Sequence, residues 1–118
     1  MKIKIKLKDK EISLEAIEAG IFQRFRGLMF RNKEKAPILL FNMKKQYAIH
    51  SFFVFFDFIT LWLDNKNRVL EWKIVKPFSP YEKSNAEFYK IIEIPINRRY
   101  HSLVTFIVGE RFKKTNRL

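Results

Sequence analysis

Three arginines surround a short Gly-Leu-Met segment in the first third of the chain. Arg24, Arg26 and Arg31 lie within the run Arg-Phe-Arg-Gly-Leu-Met-Phe-Arg. A guanidinium presents a planar fork of N–H donors that suits a phosphate or a carboxylate. Glycine permits a bend or a close approach of the backbone. The segment is therefore a candidate site for an anionic ligand.

Structural roles for the same segment stay open. Apolar residues at the end of an element usually pack, so the composition favours a core plug for Leu28 and Met29. The arginines would then form buried pairs with carboxylates, for which the candidates are Asp57, Glu71 and Glu93. Under either interpretation the arginines are the residues worth mutating.

His50 is the second candidate for chemistry, because an imidazole can act as a general base or a metal ligand. Catalysis requires a positioned partner, and a metal requires three or four ligands. His101 is far away in the sequence, and the carboxylates show no ligand spacing. These gaps favour a structural or hydrogen-bonding role. We predict no catalytic residue, no metal and no cofactor, and we keep a hydrolase or transferase built on His50 as an alternative.

Residues 52–58 read Phe-Phe-Val-Phe-Phe-Asp-Phe. In a strand, Phe52, Val54, Phe56 and Phe58 would share one face, and Phe53, Phe55, Asp57 and Ile59 the other. The density of aromatic side chains favours burial in the core. An exposed patch would instead mark a ligand groove, or a surface on which single-stranded bases stack.

The net charge of +12 is concentrated at the two ends of the chain. Such charge attracts RNA, DNA or an anionic membrane, although it also serves solubility alone. The RNP and GxxG signatures of RNA-binding domains are missing from the sequence. The candidate contacts to a nucleic acid are Lys2, Lys4, Lys6, Lys8, Arg98, Arg99, Lys113 and Lys114.

Hydrophobic periodicity predicts a chain made mainly of short strands. Lysines alternate with Ile3, Ile5 and Leu7, which indicates a strand over residues 2–8 with one buried face. We expect a turn at Asp9-Lys10, a helix over 21–29, a hairpin turn over 64–67 and a helical turn over 97–103. A β-rich block is predicted over 47–63, and further strands over 11–17, 38–42, 68–75, 88–94, 104–108 and 111–113.

These elements predict an α+β fold that is mainly antiparallel β. We expect a small curled sheet or partly open barrel of about eight short strands, with one or two short helices. At 118 residues the chain fits a single domain, with a basic tail over 113–118. Cysteine is absent, and the longest apolar run, residues 52–63, is too short to span a bilayer as a helix. We expect a cytoplasmic monomer or weak dimer.

The sequence resembles the family called domain of unknown function 192, which occurs in archaea and bacteria. The resemblance is carried by Arg24-x-Arg26-Gly27-Leu28-Met29-Phe30-Arg31, by Leu40-Phe41 and by His50-Ser51-Phe52-Phe53, with weaker matches at Leu63-Asp64, Val69, Glu93 and Gly109-Glu110. It covers about residues 12–112 and implies a compact β-rich fold, without implying an activity.

One departure from the family pattern affects the candidate site. Where the family reads Met-x-x-Pro-Ile-Asp, this chain has Asp57 in place of the proline and Ile59 in place of the aspartate. We therefore predict a non-enzymatic binding or accessory domain with a pocket between the Gly-Leu-Met bend and the His50–Phe53 segment. Its candidate ligand contacts are Arg24, Arg26, Arg31, His50, Phe53 and Asp57.

Overall fold

A computed structural model describes residues 1–18, 28, 31–42, 54–79, 82–84 and 86–115, with side chains in the last segment up to residue 109. Seven strands and one helix occur in these ranges. The strands are β1 (Lys2–Leu7), β2 (Lys10–Glu15), β3 (Ile17–Glu18), β4 (Leu39–Asn42), β5 (Phe58–Leu63), β6 (Val69–Val75) and β7 (Lys90–Pro95), and helix α1 is His101–Thr115.

The strands form a partly open barrel. β1 and β2 make an antiparallel hairpin, and the other five strands form a sheet in the order β3-β4-β7-β5-β6, in which only the β3–β4 pair is parallel. β2 continues into β3 after Ala16. At the opposite edge, the Lys6 N–H donates to the Asn67 carbonyl at 2.9 Å, in an isolated bridge between β1 and Arg68, just before β6. The predicted fold class is confirmed.

The inside of this barrel is the larger apolar cluster. Ile3, Ile5 and Leu7 on β1 are buried there, as their alternation with lysines predicts. Inward side chains from the sheet and Ile107 of α1 complete the cluster. Burial of this face fixes the register of β1, because a one-residue slip would place its lysines in the core.

A second apolar cluster covers the outer face of the five-stranded sheet. Its sheet members include Leu39, Phe58 and Trp62, and its other members come from irregular segments. Val54 and Phe56 are among these and are buried, whereas Phe55 is exposed. The predicted burial of the phenylalanine run is therefore confirmed for Val54, Phe56 and Phe58. The prediction of a strand through residues 54–57 is wrong, since β5 begins at Phe58.

The secondary structure predicted for the last part of the chain is also wrong. A continuous helix, His101–Thr115, replaces the expected strands over 104–108 and 111–113 and includes the start of the expected tail. Tyr100, Leu103, Val104 and Ile107 have helical spacing, and these side chains pack against the barrel core. The β-branched residues favoured strands locally, but burial of this stripe outweighs that preference.

Two smaller differences concern turns. The first turn uses Lys8 and Asp9 rather than Asp9 and Lys10, and Lys8 has a positive φ of 57°. The predicted strand over 11–17 is divided at Ala16 into β2 and β3. The predicted hairpin turn at 64–67 is confirmed. The helix predicted over 21–29 lies outside the described residues, apart from Leu28.

Candidate functional site

The outer face of the sheet carries a polar row across its middle. Directly opposed residues on neighbouring strands point to the same face. Glu93 of β7 is paired with Leu39 of β4 on one side and with Thr60 of β5 on the other, and Thr60 is in turn paired with Lys73 of β6. The row therefore runs from an apolar side chain, through a carboxyl and a hydroxyl, to an ammonium group.

Glu93 is the unusual member of this row, because a carboxyl group rarely lies in the centre of a sheet. The residue is only 6% exposed, and Ile91 of the same strand and face is fully buried. Burial raises the pKa of Glu93 to about 8, since a low-dielectric environment disfavours the charged form. At neutral pH its side chain is therefore mainly a neutral acid, which can donate a hydrogen bond as well as accept one.

Two further polar atoms on this face are fully buried. No hydrogen-bond partner of Thr60 Oγ1 or of Trp62 Nε1 is present among the residues that the structure describes. A buried donor without a partner costs about 1–3 kcal/mol, so such groups are rare. Thr60, Trp62 and Glu93 thus present three possible donors along one face of two neighbouring strands.

Lys73 lies at the solvent end of the row. Its Nζ is 5.6 Å from the centroid of the Trp62 ring, and it donates to the Lys83 carbonyl at 2.9 Å. The same Nζ is 3.7 Å from the Glu71 carboxylate, which also accepts a hydrogen bond from the Ser84 hydroxyl. Lys73 is therefore a positioned cation rather than a freely moving one.

Leu28, the one described residue of the Gly-Leu-Met segment, lies on this same face. Leu28 is 2% exposed and packs in the outer apolar cluster with Leu39 and Trp62, which confirms the predicted core plug for that side chain. The backbone N–H of Arg31 donates to the Leu28 carbonyl at 3.3 Å. Arg24, Arg26, His50 and Phe53 lie outside the described residues, so the roles predicted for them stay predictions.

Asp57 lies at one end of the sheet rather than in the polar row. Its Oδ2 is 2.7 Å from Lys76 Nζ, and its backbone carbonyl accepts a hydrogen bond from Ile96 at 3.0 Å. Of the three carboxylates predicted to pair with arginine, Asp57 and Glu71 have the lysine contacts described above. Any arginine contact of Glu93 stays a prediction.

The basic residues predicted to contact a nucleic acid fall in separate places. Lys2, Lys4, Lys6 and Lys8 are exposed on the hairpin, and Arg98 and Arg99 are exposed before α1. Lys4 Nζ is 3.9 Å from the Glu11 carboxylate on the neighbouring strand. Lys113 and Lys114 belong to the last turns of α1.

Thr60, Trp62 and Lys73 were missed as site residues, and Glu93 was expected only as an ion-pair partner. One feature of the sequence could have indicated Glu93, which is the single charge in the run Ile-Ile-Glu-Ile-Pro. Nothing in the sequence identifies Thr60, because its role follows from strand pairing.

Two negative findings apply to the described part of the chain. No group of three or more His, Asp or Glu side chains is placed there to hold a metal ion. No helix in those ranges is long and apolar enough to cross a membrane.

The fold and the polar row define a small barrel-like β domain with a helix against its core. No family model matches the sequence. Over 77 residues, 63% of this chain, the sequence is 35% identical to the UPF0127 protein of Thermococcus kodakarensis, of which it covers 48%. It is 32% identical over 77 residues to a UPF0127 protein of Thermococcus gammatolerans, of which it covers 50%.

The chain is thus a distant homologue of the UPF0127 proteins, which correspond to domain of unknown function 192. It spans about half the length of the curated relatives it matches.

Solved structures show the same fold at low sequence identity. A protein of unknown function from Novosphingobium aromaticivorans is similar with a TM-score of 0.67 and 12% identity, over 86% of this chain and 76% of that one. A candidate transcription regulator from Sinorhizobium meliloti is similar with a TM-score of 0.62 and 16% identity, over 78% of this chain and 76% of that one.

Proposed function

We propose that this chain is a non-enzymatic binding or accessory domain of the domain of unknown function 192 family, acting inside the cell. Its proposed ligand site lies on the outer face of the sheet, beside Leu28. The observation that carries the proposal is the position of Leu28, which packs on the face that also holds Glu93 and Thr60. Arg26 is two residues from Leu28 in the sequence, and for that reason we include it in the proposed site.

The chemistry of the row favours a small anion as the ligand. A neutral Glu93, the Thr60 hydroxyl and the Trp62 indole offer hydrogen-bond donors. Lys73 adds a positive charge at the solvent end, and Arg26 would add a guanidinium fork that suits a carboxylate or phosphate. His50 would complete the polar contacts of the ligand.

Isothermal titration calorimetry with a panel of phosphate, citrate and short acidic peptides tests this proposal. We expect Arg26→Ala to weaken binding about tenfold, because hydrogen bonds to charged groups contribute about 1.5–3 kcal/mol. Arg68→Ala is the matched control, since it removes an exposed arginine in the turn between β5 and β6. Unchanged binding in Arg26→Ala would remove Arg26 from the site, and unchanged binding in Thr60→Val as well would reject the outer face.

A second candidate function is nonspecific binding of nucleic acid, which is favoured by the geometry of β1. Lys2, Lys4 and Lys6 form one exposed row while the residues between them are buried. A row of cations with the pitch of a strand suits a polyanion, whose binding releases counterions.

Neutralising Lys2, Lys4, Lys6 and Lys8 and removing residues 114–118 should weaken RNA binding and flatten its salt dependence. Substituting the exposed residue Lys83 by alanine gives a single-charge control outside the termini. If the full chain shows no salt-dependent binding to RNA or DNA, this second candidate is rejected.

A further inference from the structure

An aromatic pair lies beyond the end of the β5–β6 ladder. The last paired residues are Phe58 and Val75. One step further, Asp57 and Lys76 form an ion pair of 2.7 Å. Two steps beyond that, the rings of Phe55 and Phe78 meet edge to face with centroids 5.6 Å apart. The two chain segments therefore stay in side-chain contact past the strands, as far as the two phenylalanines.

Both rings are exposed, and one of them is held by an uncommon backbone conformation. Phe55 is 61% exposed and Phe78 is 53% exposed. Phe78 has a φ of 62°, in the left-handed region that suits glycine and is an outlier for a bulky residue. Such a conformation costs about 1–3 kcal/mol and often marks a functional site. Neither burial nor backbone geometry explains a phenylalanine at this position.

Exposed basic residues adjoin the same end of the barrel. The carbonyl of Asp57 accepts a hydrogen bond from Ile96 at 3.0 Å. The next residue, Asn97, donates its side-chain amide to the Lys33 carbonyl at 2.7 Å, and the Arg98 N–H donates to Glu34 at 3.2 Å. This chain of contacts links the turn at 33–35 and the corner at 98–99 to Asp57, two residues from Phe55 in the sequence. The exposed cations there are Lys33, Lys35, Lys76, Arg98 and Arg99.

We propose that this end of the barrel binds single-stranded nucleic acid, with bases stacked on Phe55 and Phe78 and phosphates on the basic residues around them. Base faces are available for such stacking in a single strand and not in a duplex. The proposal takes its class of ligand from the second candidate function but assigns a different surface. The net charge of +12 favours a polyanion over a neutral protein partner.

Fluorescence anisotropy with fluorescein-labelled 12-nucleotide oligouridylate and oligothymidylate tests the proposal on the full chain. We expect Phe55→Ala and Phe78→Gly each to weaken binding about tenfold, because stacking on an aromatic side chain contributes about 1–3 kcal/mol per base. The slope of log affinity against log salt should not change, since a ring carries no charge. An unlabelled duplex of the same length should compete poorly.

Two controls separate a lost contact from a damaged fold. Tyr89 is also an exposed aromatic residue, but its N–H bonds to Leu63 at the opposite end of β5, so Tyr89→Ala should bind like the wild type. Phe78→Gly relieves the left-handed backbone. This variant should lose affinity because the ring is removed. Its urea midpoint should stay equal to or above that of the wild type because the backbone strain is relieved.

Three results would overturn the proposal. If both phenylalanine variants bind oligonucleotide like the wild type while the β1 lysine variants lose affinity, the surface is the lysine row and only the second candidate function survives. If no form of the chain binds with salt dependence, both are rejected. If Phe55→Ala and Phe78→Gly weaken binding to phosphatidylglycerol vesicles but leave oligonucleotide binding unchanged, the aromatic pair contacts lipid instead.

Discussion

Glu93 and Thr60 lie directly opposite each other on the neighbouring strands β7 and β5, one a buried carboxyl and the other a buried hydroxyl. Both side chains occupy positions at which an apolar residue would be expected, because their neighbours on that face form an apolar cluster. Burying these polar groups lowers stability. The pair is therefore the place where stability and binding can be separated by mutation.

Replacing Glu93 by glutamine should remove much of the pH dependence of folding. The folded state holds a proton on Glu93 up to about pH 8, whereas the unfolded chain releases it near the ordinary value of about 4.3. At a pH between these two pKa values, unfolding releases a proton from Glu93. The stability that Glu93 contributes is therefore fully present at low pH and is lost as the pH rises. We expect a loss of roughly 1.4 kcal/mol per pH unit within this window.

Urea unfolding of both proteins at pH 5.5, 7 and 8.5 measures this difference. Glutamine mimics the neutral acid, so the two midpoints should be closest at pH 5.5 and diverge in favour of Glu93→Gln at higher pH. A constant difference across the three values would show that Glu93 does not titrate in this window.

Replacing Thr60 by valine should leave the fold intact or stabilise it by up to about 1 kcal/mol. The substitution removes a buried hydroxyl without a described partner and keeps the shape of the side chain. The expected result is an unchanged or higher urea midpoint at constant m-value. A fall of more than 1 kcal/mol would mean that the hydroxyl has a hydrogen bond in the folded protein.

Replacing Asp64 by asparagine should destabilise the β5–β6 hairpin. The Asp64 carboxylate accepts hydrogen bonds from the N–H groups of Lys66 and Arg68 at 2.8 and 2.9 Å, and from Arg68 Nε at 2.6 Å. We expect a loss of about 1–3 kcal/mol at pH 7, because charge-assisted bonds are lost. Thermal unfolding followed by circular dichroism measures it, with Asn65→Ala in the same turn as control.

The pH profile of the same variant gives a second check. Burial acts to raise the pKa of Asp64, but the hydrogen bonds from Arg68 and Lys66 outweigh it and lower the pKa below its usual value. The stability contributed by Asp64 is therefore present above the ordinary aspartate pKa and is lost as pH falls through the lowered one. The difference between the wild type and Asp64→Asn should shrink in acid, and a difference that grows would contradict the assignment.

Replacing Gly109 by alanine should stabilise helix α1. Apart from its chain neighbours and the backbone of its own helix, a Cβ at this position would meet nothing within 4 Å, and alanine is favoured over glycine inside a helix by about 0.5–1 kcal/mol. We expect a higher melting temperature and slightly greater helical circular dichroism. A lower melting temperature would support the two short strands that the sequence predicted around Gly109.

Replacing Ile107 by alanine, which empties a buried position of the same helix, should instead lower the free energy of unfolding by about 2–5 kcal/mol.

The sequence predicted most of the sheet, because alternation between buried and exposed residues is a local property of a strand. This alternation predicts β1 from Ile3, Ile5 and Leu7. The turn residues Asp64 to Asn67 predict the hairpin between β5 and β6. The prediction failed at the end of the chain, where Val104 and Ile107 have strand propensity. There the helix is selected by contacts with residues distant in sequence, which a local pattern does not contain.

By itself, the sequence determined a basic, mainly antiparallel β domain, the faces of β1 and the relationship to domain of unknown function 192 proteins. Only the tertiary structure decided which residues share a site. Glu93 meets Thr60 through a strand pairing that joins residues 33 positions apart, and Phe55 meets Phe78 beyond the end of the β5–β6 ladder. Strand register depends on the burial of whole faces at once, so these neighbours emerge only when the barrel is assembled.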